Sequence, residues 1–157
     1  MRDRLKPGDI GAMVALHGNE YGDGYRLDET FEASVARGLA EFALALADDP
    51  EAGRAWLTED EQGLTGCIAI TRETPAHGRL RWFLVASRAR GQGIGRRLLD
   101  AALGYARQRF ESVELETFSE LTAAAHMYRA AGFEVTRSGA VDMWGRAIEL
   151  QRYDMRF

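Results

Sequence analysis

The sequence predicts an α/β domain whose helices and strands follow the order ααβββαβαββ. Two observations lead to this fold class. Apolar residues recur every three to four positions in some segments, as in amphipathic helices, and they alternate or run together in others, as in strands. The two kinds of segment interleave along a chain of 157 residues, so we expect residues 1–157 to form a single domain.

The N-terminal third is predicted to contain two helices. The first covers about residues 10–17 and is expected to end at the glycines that begin with Gly18. Asp28 is the predicted N-cap of the second helix, in which apolar residues repeat at helical spacing over residues 31–46. The Asp-Asp-Pro segment at residues 48–50 is expected to end this helix.

Strands dominate the predicted centre of the chain. Residues 54–59 and 64–73 are expected to pair as a hairpin around a tight turn, and a third strand is expected to end at about Val85. After a glycine-rich segment, the predicted elements are a helix over about 94–110, a strand over 113–118, a helix over 121–131 with Gly132 as its C-cap, a strand to about 137 and a final strand over about 146–153.

The most informative segment is Arg90-Gly91-Gln92-Gly93-Ile94-Gly95, between the third predicted strand and the helix that follows. Its glycines let backbone N–H groups approach a bulky ligand closely. The start of the next helix directs unpaired N–H groups and a positive dipole end to the same place. Such a place suits a phosphate or pyrophosphate, and the neighbouring arginines match phosphate oxygens in geometry and charge.

Two common phosphate-binding motifs do not fit this segment. A Walker loop, G-x-x-x-x-G-K-[ST], needs a second glycine five positions after the first, followed by Lys and Ser or Thr. The residue five positions after Gly91 is Arg96, so this motif is absent. The dinucleotide fingerprint G-x-G-x-x-G needs a third glycine at the same position 96. The pattern [RQ]-x-x-G-x-[GA] is met in full by Arg90, Gly93 and Gly95. On this segment alone, a glycine-rich turn without a ligand remains an alternative.

A second pattern lies on the last predicted helix. Residues 124–133, AAHMYRAAGF, match A-x-x-[LM]-Y-x-x-x-G-F. The two patterns stand in this order, separated by one helix and one strand, and together they resemble the signatures of the GNAT superfamily of N-acetyltransferases. The resemblance is firm over about residues 54–137. It implies a mixed, partly antiparallel sheet with helices on both faces.

The resemblance also implies acetyl-coenzyme A as co-substrate. Its pyrophosphate would lie on the main-chain N–H groups of residues 91–96, and its pantetheine arm would run beside the third strand, which splays from its neighbour after a bulge. An N–H group near Leu84 or Val85 would stabilise the oxyanion while an amine attacks directly, without a covalent enzyme intermediate. The cofactor-binding residues implied in this way are Phe83, Leu84, Val85, Arg90, Gly91, Gln92, Gly93, Ile94, Gly95, Arg96 and Ala124.

Two proton transfers need side chains. Tyr128 holds the position of the family's usual general acid, which would protonate the leaving thiolate. Glu116 is the first candidate for the base that deprotonates the amine, and Glu114, His17 and Glu20 stay open as alternatives. The alternative for Glu114 and Glu116 is that they lie on a solvent-facing side of a strand and have no catalytic role. The alternative for Tyr128 is that it is an ordinary half-buried residue of a helix.

The acceptor region has its own pattern, which consists of His17-Gly18, Tyr21, Phe31-Glu32, Trp144-Gly145-Arg146 and Gln151-Arg152-Tyr153. This pattern resembles one GNAT branch, whose members often follow a MarR-like winged-helix regulator in the same chain. In that resemblance His17, Tyr21 and Glu32 would line the acceptor pocket. A chain of 157 residues has no room for the regulator, so we expect a free-standing relative or an excised half. One departure is Leu121, where many members carry Asn; the corresponding coenzyme A contact is expected to be missing or supplied by Ser119 or Thr122.

Composition excludes several other classes. No apolar run approaches the roughly 20 residues of a membrane span, and the N-terminus lacks the apolar core of a signal peptide. The net charge of −4 argues against nonspecific nucleic-acid binding. The single Cys67 excludes an intramolecular disulfide and suits a reducing cytoplasm, and one cysteine with three scattered histidines predicts no metal site.

We therefore expect an acetyl-coenzyme A-dependent N-acetyltransferase that acts on an amine of a small molecule or a protein. The alternative from another class is a non-catalytic acyl-coenzyme A sensor with the same fold. Polyamines, aminoglycosides, amino acids and protein lysines all stay open as acceptors. Pairing of edge strands makes a homodimer possible.

Overall fold

The computed structural model describes residues 1–22 and 24–157, which form a six-stranded mixed sheet with four α-helices. In chain order the elements are α1 (Asp9–Tyr25), α2 (Glu29–Asp48), β1 (Gly53–Asp60), β2 (Gly63–Thr74), β3 (His77–Val85), α3 (Ile94–Arg107), β4 (Ser112–Phe118), α4 (Thr122–Ala131), β5 (Glu134–Met143) and β6 (Arg146–Arg156). The strand order is β1-β2-β3-β4-β6-β5, and β3–β4 is the parallel pair. The predicted fold class and element order are confirmed.

The sheet separates two apolar cores. Along β2, Ile68 and Ile70 face the core under α3 and α4, whereas Cys67 and Ala69 face the core under α1 and α2. Side chains alternate across a strand, so a continuous apolar run is what a strand covered on both faces requires. Helices lie on both faces, as the resemblance implies.

The first helix is longer than predicted. It continues through Gly18 to Tyr25, and the expectation that the glycines end it is wrong. Met13, His17 and Tyr21 lie one helical turn apart and are all buried, so packing of this stripe outweighs the roughly 1 kcal/mol that each glycine costs a helix. The helix passes close to α2 at Gly18, where an added Cβ would clash with the carboxylate of Glu32.

The strand β5 is also longer than predicted, because it runs to Met143 rather than to about Arg137. Nearly all of its side chains are exposed, so it lacks the apolar alternation that marks a strand in a sequence. A two-residue turn, Trp144-Gly145, joins it to β6 with φ values of 56° and 83°. Positive φ at both central residues is the conformation that a tight β-hairpin needs.

The gap between β3 and β4 positions the candidate site. The two strands pair over three residue pairs, the last being Arg79 with Glu114. Further along, β3 carries an extra residue opposite β2, and Trp82 adopts a φ of 51° at this bulge. A bulge bends a strand and increases its twist, so β3 turns away from β4 and leaves part of its edge without a partner strand.

A helix able to cross a bilayer, which would need a long apolar stretch, is not found in the described part of the chain.

Leu98 tests the core under the glycine-rich loop. It is completely buried on α3, and we expect Leu98→Ala to lower the free energy of unfolding by about 3–5 kcal/mol, because the lost methyl groups leave a cavity. Urea unfolding at equilibrium measures this. The matched control is Leu44→Ala on α2, whose side chain is 69% exposed and whose loss should cost under about 0.5 kcal/mol. Equal effects of the two substitutions would contradict the assignment of this core.

Candidate active site

The segment between β3 and α3 has the conformation of an anion-binding loop. Gly91 and Gly93 have φ values of 76° and 73°, a left-handed region that side chains other than glycine rarely adopt. Gly93 is the N-cap of α3, and no side chain caps the helix there. The N–H groups of the first turn therefore point toward the loop without a side-chain acceptor.

Position 95 requires a small residue for a different reason. A Cβ built at this residue would lie 3.3 Å from Cε of Met127 on α4 and 3.5 Å from Cγ2 of Val85 on β3. The absence of a side chain thus lets the start of α3 approach both elements closely. The loop, the end of β3 and the start of α4 meet at one place as a result.

A cavity of about 450 Å³ opens at this place, and we term it the loop cavity. It extends from the loop along β3 to the first turn of α4. Its lining includes all the predicted cofactor-binding residues except Gln92, which is exposed outside it. Sequence reasoning did not select Tyr25 and Met127, which also line it; for Met127, the [LM] position of the second signature was the available signal.

The arginine of the first signature is held by α1. The Arg90 guanidinium lies 2.9 Å from Oε2 of Glu20, and its Nε donates to the Val85 carbonyl at 3.2 Å. The other carboxylate oxygen of Glu20 accepts the Ser87 N–H at 2.8 Å. Glu20, a candidate base in the sequence, thus connects the loop to α1 and to the end of β3.

A second cavity, of about 290 Å³, lies beside the gap between β3 and β4. We term it the aromatic cavity, because its lining includes Tyr21, Phe31, Trp82, Phe83, Phe118, Tyr128 and Trp144. The loop cavity and the aromatic cavity share Tyr21, Phe83, Leu121 and Ala124. They therefore adjoin each other where the strands diverge.

Tyr128 lies in the wall of the aromatic cavity. Its ring is buried against Phe83, Phe133 and Tyr153, with ring centroids 5.8–5.9 Å away. Its hydroxyl makes no hydrogen bond within the described residues. Burial raises the pKa of Tyr128, and the nearby phenols of Tyr21 and Tyr153 raise it further. The phenol therefore keeps its proton at neutral pH and can donate it to a ligand.

His17 lies in the same wall, on α1. Its Nδ1 is 2.7 Å from the Met13 carbonyl, which can only accept, so Nδ1 carries the proton and Nε2 is left with a free lone pair. Burial lowers the pKa of His17 to about 4. One helical turn further on, burial raises the pKa of Tyr21. Both side chains are thus neutral at physiological pH.

The predicted carboxylates have different positions. Glu116 lines the aromatic cavity and pairs with Arg79 at 2.5 Å. Glu114 is buried and pairs with Arg79, His77 and Arg152. Its negative charge is therefore balanced by residues of the neighbouring strands.

Glu32 lines neither cavity. It follows Phe31 on α2, whose buried face contains Phe31 and Val35, so the helical rotation of about 100° per residue directs Glu32 outward. Its carboxylate lies over Gly18 at the approach of α1 to α2. The structure therefore does not bring Glu32 together with His17 and Tyr21.

One cluster offers potential metal ligands that spacing along the chain did not reveal. Ligand atoms of His77, Glu114 and Asp154 lie within 4.8 Å of one another. Arg152 pairs with both carboxylates, and Arg79 pairs with Glu114. These guanidinium groups neutralise the negative charge that would attract a cation.

The model of the acetyltransferase (GNAT) family matches residues 19–133, which include the loop and both signature patterns. The chain belongs to this family. The superfamily resemblance is thereby confirmed.

A curated N-acetyltransferase is similar to part of this chain. N-acetyltransferase 8F1 of Rattus norvegicus is 29% identical over 111 residues, which are 67% of this chain and 50% of that protein. The chain thus spans about half the length of this curated relative.

Solved structures of N-acetyltransferases share the fold. The ribosomal-protein-alanine N-acetyltransferase of Brucella melitensis matches over 100% of both chains, with a TM-score of 0.74 and 19% identity. The spermidine N-acetyltransferase of Vibrio cholerae, solved with CoA and spermine, matches over 99% of this chain and 94% of that one, with a TM-score of 0.72 and 22% identity.

The low pKa of His17 makes stability depend on pH. In the unfolded chain His17 takes up a proton near pH 6.5, whereas the folded protein does so only near pH 4. Its contribution is therefore present above pH 6.5 and is lost as the pH falls toward 4, by up to roughly 3 kcal/mol. We expect the stability advantage of wild type over His17→Gln to shrink by about this amount between pH 7 and pH 4, as measured by urea unfolding.

The exposed His126 supplies the control for this experiment. His126→Gln should give an unfolding free energy that runs parallel to that of wild type over the same pH range. A difference between wild type and His17→Gln that stays constant from pH 7 to pH 4 would contradict the buried, neutral state of His17.

Proposed function

We propose that this protein is an N-acetyltransferase that transfers the acetyl group of acetyl-coenzyme A directly to an amine. The observation that carries the proposal is the meeting of two cavities at the gap between β3 and β4, beside Tyr128. One cavity begins at an anion-binding loop, and the other is lined by aromatic and titratable side chains. A donor and an acceptor bound in them would bring their reacting groups together at the gap.

The loop cavity suits the donor. The N–H groups at the start of α3 and the guanidinium of Arg96, which has no ion-pair partner in the described part of the chain, would bind the pyrophosphate. The pantetheine arm would pair with the open edge of β3 at residues 83–85, as an added strand does. Thr122 lines this cavity next to Leu121 and can supply the contact that asparagine makes in many relatives.

The chemistry needs one base and one acid. The base accepts a proton from the ammonium form of the acceptor, whose pKa is about 10.4 for a lysine-like amine. The free amine then attacks the thioester carbon, and a backbone N–H near Leu84 or Val85 stabilises the oxyanion. As the C–S bond breaks, the Tyr128 hydroxyl gives its proton to the thiolate, and the proton that the attacking nitrogen loses on forming the amide returns to the Tyr128 oxygen. Glu116 is the proposed base, and His17 Nε2 is the alternative in the same cavity.

Further parts of the proposal concern the whole protein. We assign residues 1–157 to one domain, and we relate it to the GNAT branch whose members often follow a MarR-like regulator in the same chain. The buried, unpaired Cys67 fits a reducing compartment such as the cytoplasm. The long, exposed edge strand β5 is the surface through which two copies could pair as a homodimer.

Tyr128→Phe tests the proposed acid. Loss of the hydroxyl should lower kcat for thiol release by roughly 100-fold, while the dissociation constant of acetyl-coenzyme A stays within about twofold, because the ring packing is kept. A thiol-release assay with an amine panel and calorimetry measure the two quantities. Tyr105→Phe on α3, outside both cavities, is the matched control and should change neither. Full turnover in Tyr128→Phe would remove Tyr128 from the mechanism.

Gly93→Ala tests the loop. Its Cβ would meet no neighbouring atom, but the φ of 73° disfavours alanine by about 1–2 kcal/mol. We expect acetyl-coenzyme A to bind roughly tenfold more weakly, because relief of this strain distorts the N–H groups at the start of α3. Gly104→Ala, an exposed site in the middle of α3, should leave binding unchanged and stabilise the helix.

Unaltered affinity in well-folded Gly93→Ala would argue against the loop as the pyrophosphate site. Binding of acetyl-coenzyme A without thiol release from any amine would instead favour the non-catalytic sensor.

A further inference from the structure

Arg81 is a cation without an anionic partner in the aromatic cavity. It lies on β3 directly before the bulge, and its guanidinium carbon stacks 4.4 Å from the centroid of the Trp82 ring. Within the described residues it makes neither an ion pair nor a hydrogen bond. Arg79, two residues earlier, pairs with both Glu114 and Glu116. Of the two arginines in this cavity, Arg79 is therefore paired with carboxylates and Arg81 is not.

The position of Arg81 is partly withdrawn from solvent. Burial lowers the pKa of Arg81, and the charge of Arg79 lowers it further, against the weaker opposing influence of Glu73, Glu41 and Glu116. A half-buried charge with no partner is unfavourable. Charged groups that burial perturbs in this way cluster at functional sites, where a ligand can supply the missing opposite charge.

The helix α2 leaves space for this guanidinium. Gly38 is buried on α2, and a Cβ at this residue would lie 2.8 Å from Nη2 of Arg81 and 3.1 Å from Cζ2 of Trp82. A glycine inside a helix costs about 1 kcal/mol relative to alanine. Here it leaves the space in which the stacked Arg81 and Trp82 side chains lie.

The other residues that line the aromatic cavity indicate what kind of ligand would fit it. Among the described residues, the charged side chains that line the aromatic cavity are Arg79, Arg81 and Glu116, and His17 is neutral. Since Arg79 and Glu116 pair, Arg81 gives the cavity a net positive charge, which disfavours a polycation such as a polyamine. The aromatic walls suit an apolar or aromatic body, and a volume of about 290 Å³ suits a small molecule.

We propose that the acceptor is an amino acid with an apolar or aromatic side chain, whose carboxylate binds Arg81. Guanidinium and carboxylate match as a bidentate pair, which would fix one end of the acceptor. The amine would then be directed toward Glu116 and the gap between the strands. This inference rests on the proposed function, because it names the substrate class of the same site.

Matched pairs of ligands test the carboxylate directly. We would measure by calorimetry, with coenzyme A present, the binding of the N-acetyl derivatives of leucine, methionine, phenylalanine and tryptophan. Each is compared with the N-acetyl derivative of its decarboxylated amine. We expect wild type to bind the carboxylate member of at least one pair about 10- to 100-fold more tightly, the range for a charge-assisted contact. No carboxylate preference in any pair would overturn the proposal.

Variants assign the preference to Arg81. Arg81→Gln should bring the two members of the preferred pair to within about threefold of each other, and Arg81→Lys should keep a larger preference than Arg81→Gln. Arg37→Gln, which removes an exposed charge from α2 beside Gly38, should keep the full preference. A preference that persists in folded Arg81→Gln would contradict the role of Arg81.

Thiol-release assays with the free amino acids and amines separate this inference from the proposed function. If carboxylate-selective, Arg81-dependent binding occurs but no amine releases thiol, the anion site stands and the transferase fails. If thiol is released with a decarboxylated amine or with spermidine, but no carboxylate preference exists, the transferase stands and the anion site fails.

Discussion

The backbone of Trp82 is the constraint on which the site depends. Trp82 has a φ of 51° and lies at the bulge where β3 has one residue more than the facing part of β2. Its carbonyl accepts a hydrogen bond from the Cys67 thiol at 3.2 Å. Burial raises the pKa of Cys67 to about 12, so this thiol stays protonated and keeps donating. The indole packs on Phe42 and against Gly38. Held in this way, the bulge turns β3 from β4, and the two cavities can meet between the strands.

The arginines that line the cavities fall into two groups. Arg79 and Arg90 are paired with carboxylates, and each ties a strand or loop to a neighbouring element. Arg81 and Arg96 have no carboxylate partner within the described residues and face the aromatic cavity and the loop cavity respectively. The paired side chains tie neighbouring elements together, and the unpaired ones leave positive charge available to a ligand. We therefore propose that the site receives negative charge at both ends, a pyrophosphate on one side and a carboxylate on the other.

Local signals in the sequence predicted most of the fold and the loop. Asp28 caps α2 through the Thr30 N–H, and Gly132 ends α4 with a φ of 106°, because such caps are decided by a few adjacent residues. Contacts between distant segments could not be predicted. The Glu20–Arg90 pair, the space that Gly38 leaves for Arg81 and the left-handed Trp82 all depend on how separate elements pack. Glu32 lies outside the cavities for the same reason, since its placement depends on the rotation of α2.

We propose, above all, that the open edge of β3 and the start of α3 together hold an acyl thioester in front of Tyr128. A crystal structure with bound acetyl-coenzyme A tests it most directly. The account predicts the pyrophosphate on the N–H groups of residues 91–96, the pantetheine arm beside residues 83–85, and the thioester sulfur within hydrogen-bond reach of the Tyr128 hydroxyl. A thioester bound elsewhere on the protein, or a pantetheine arm that leaves the gap between β3 and β4 empty, would contradict it.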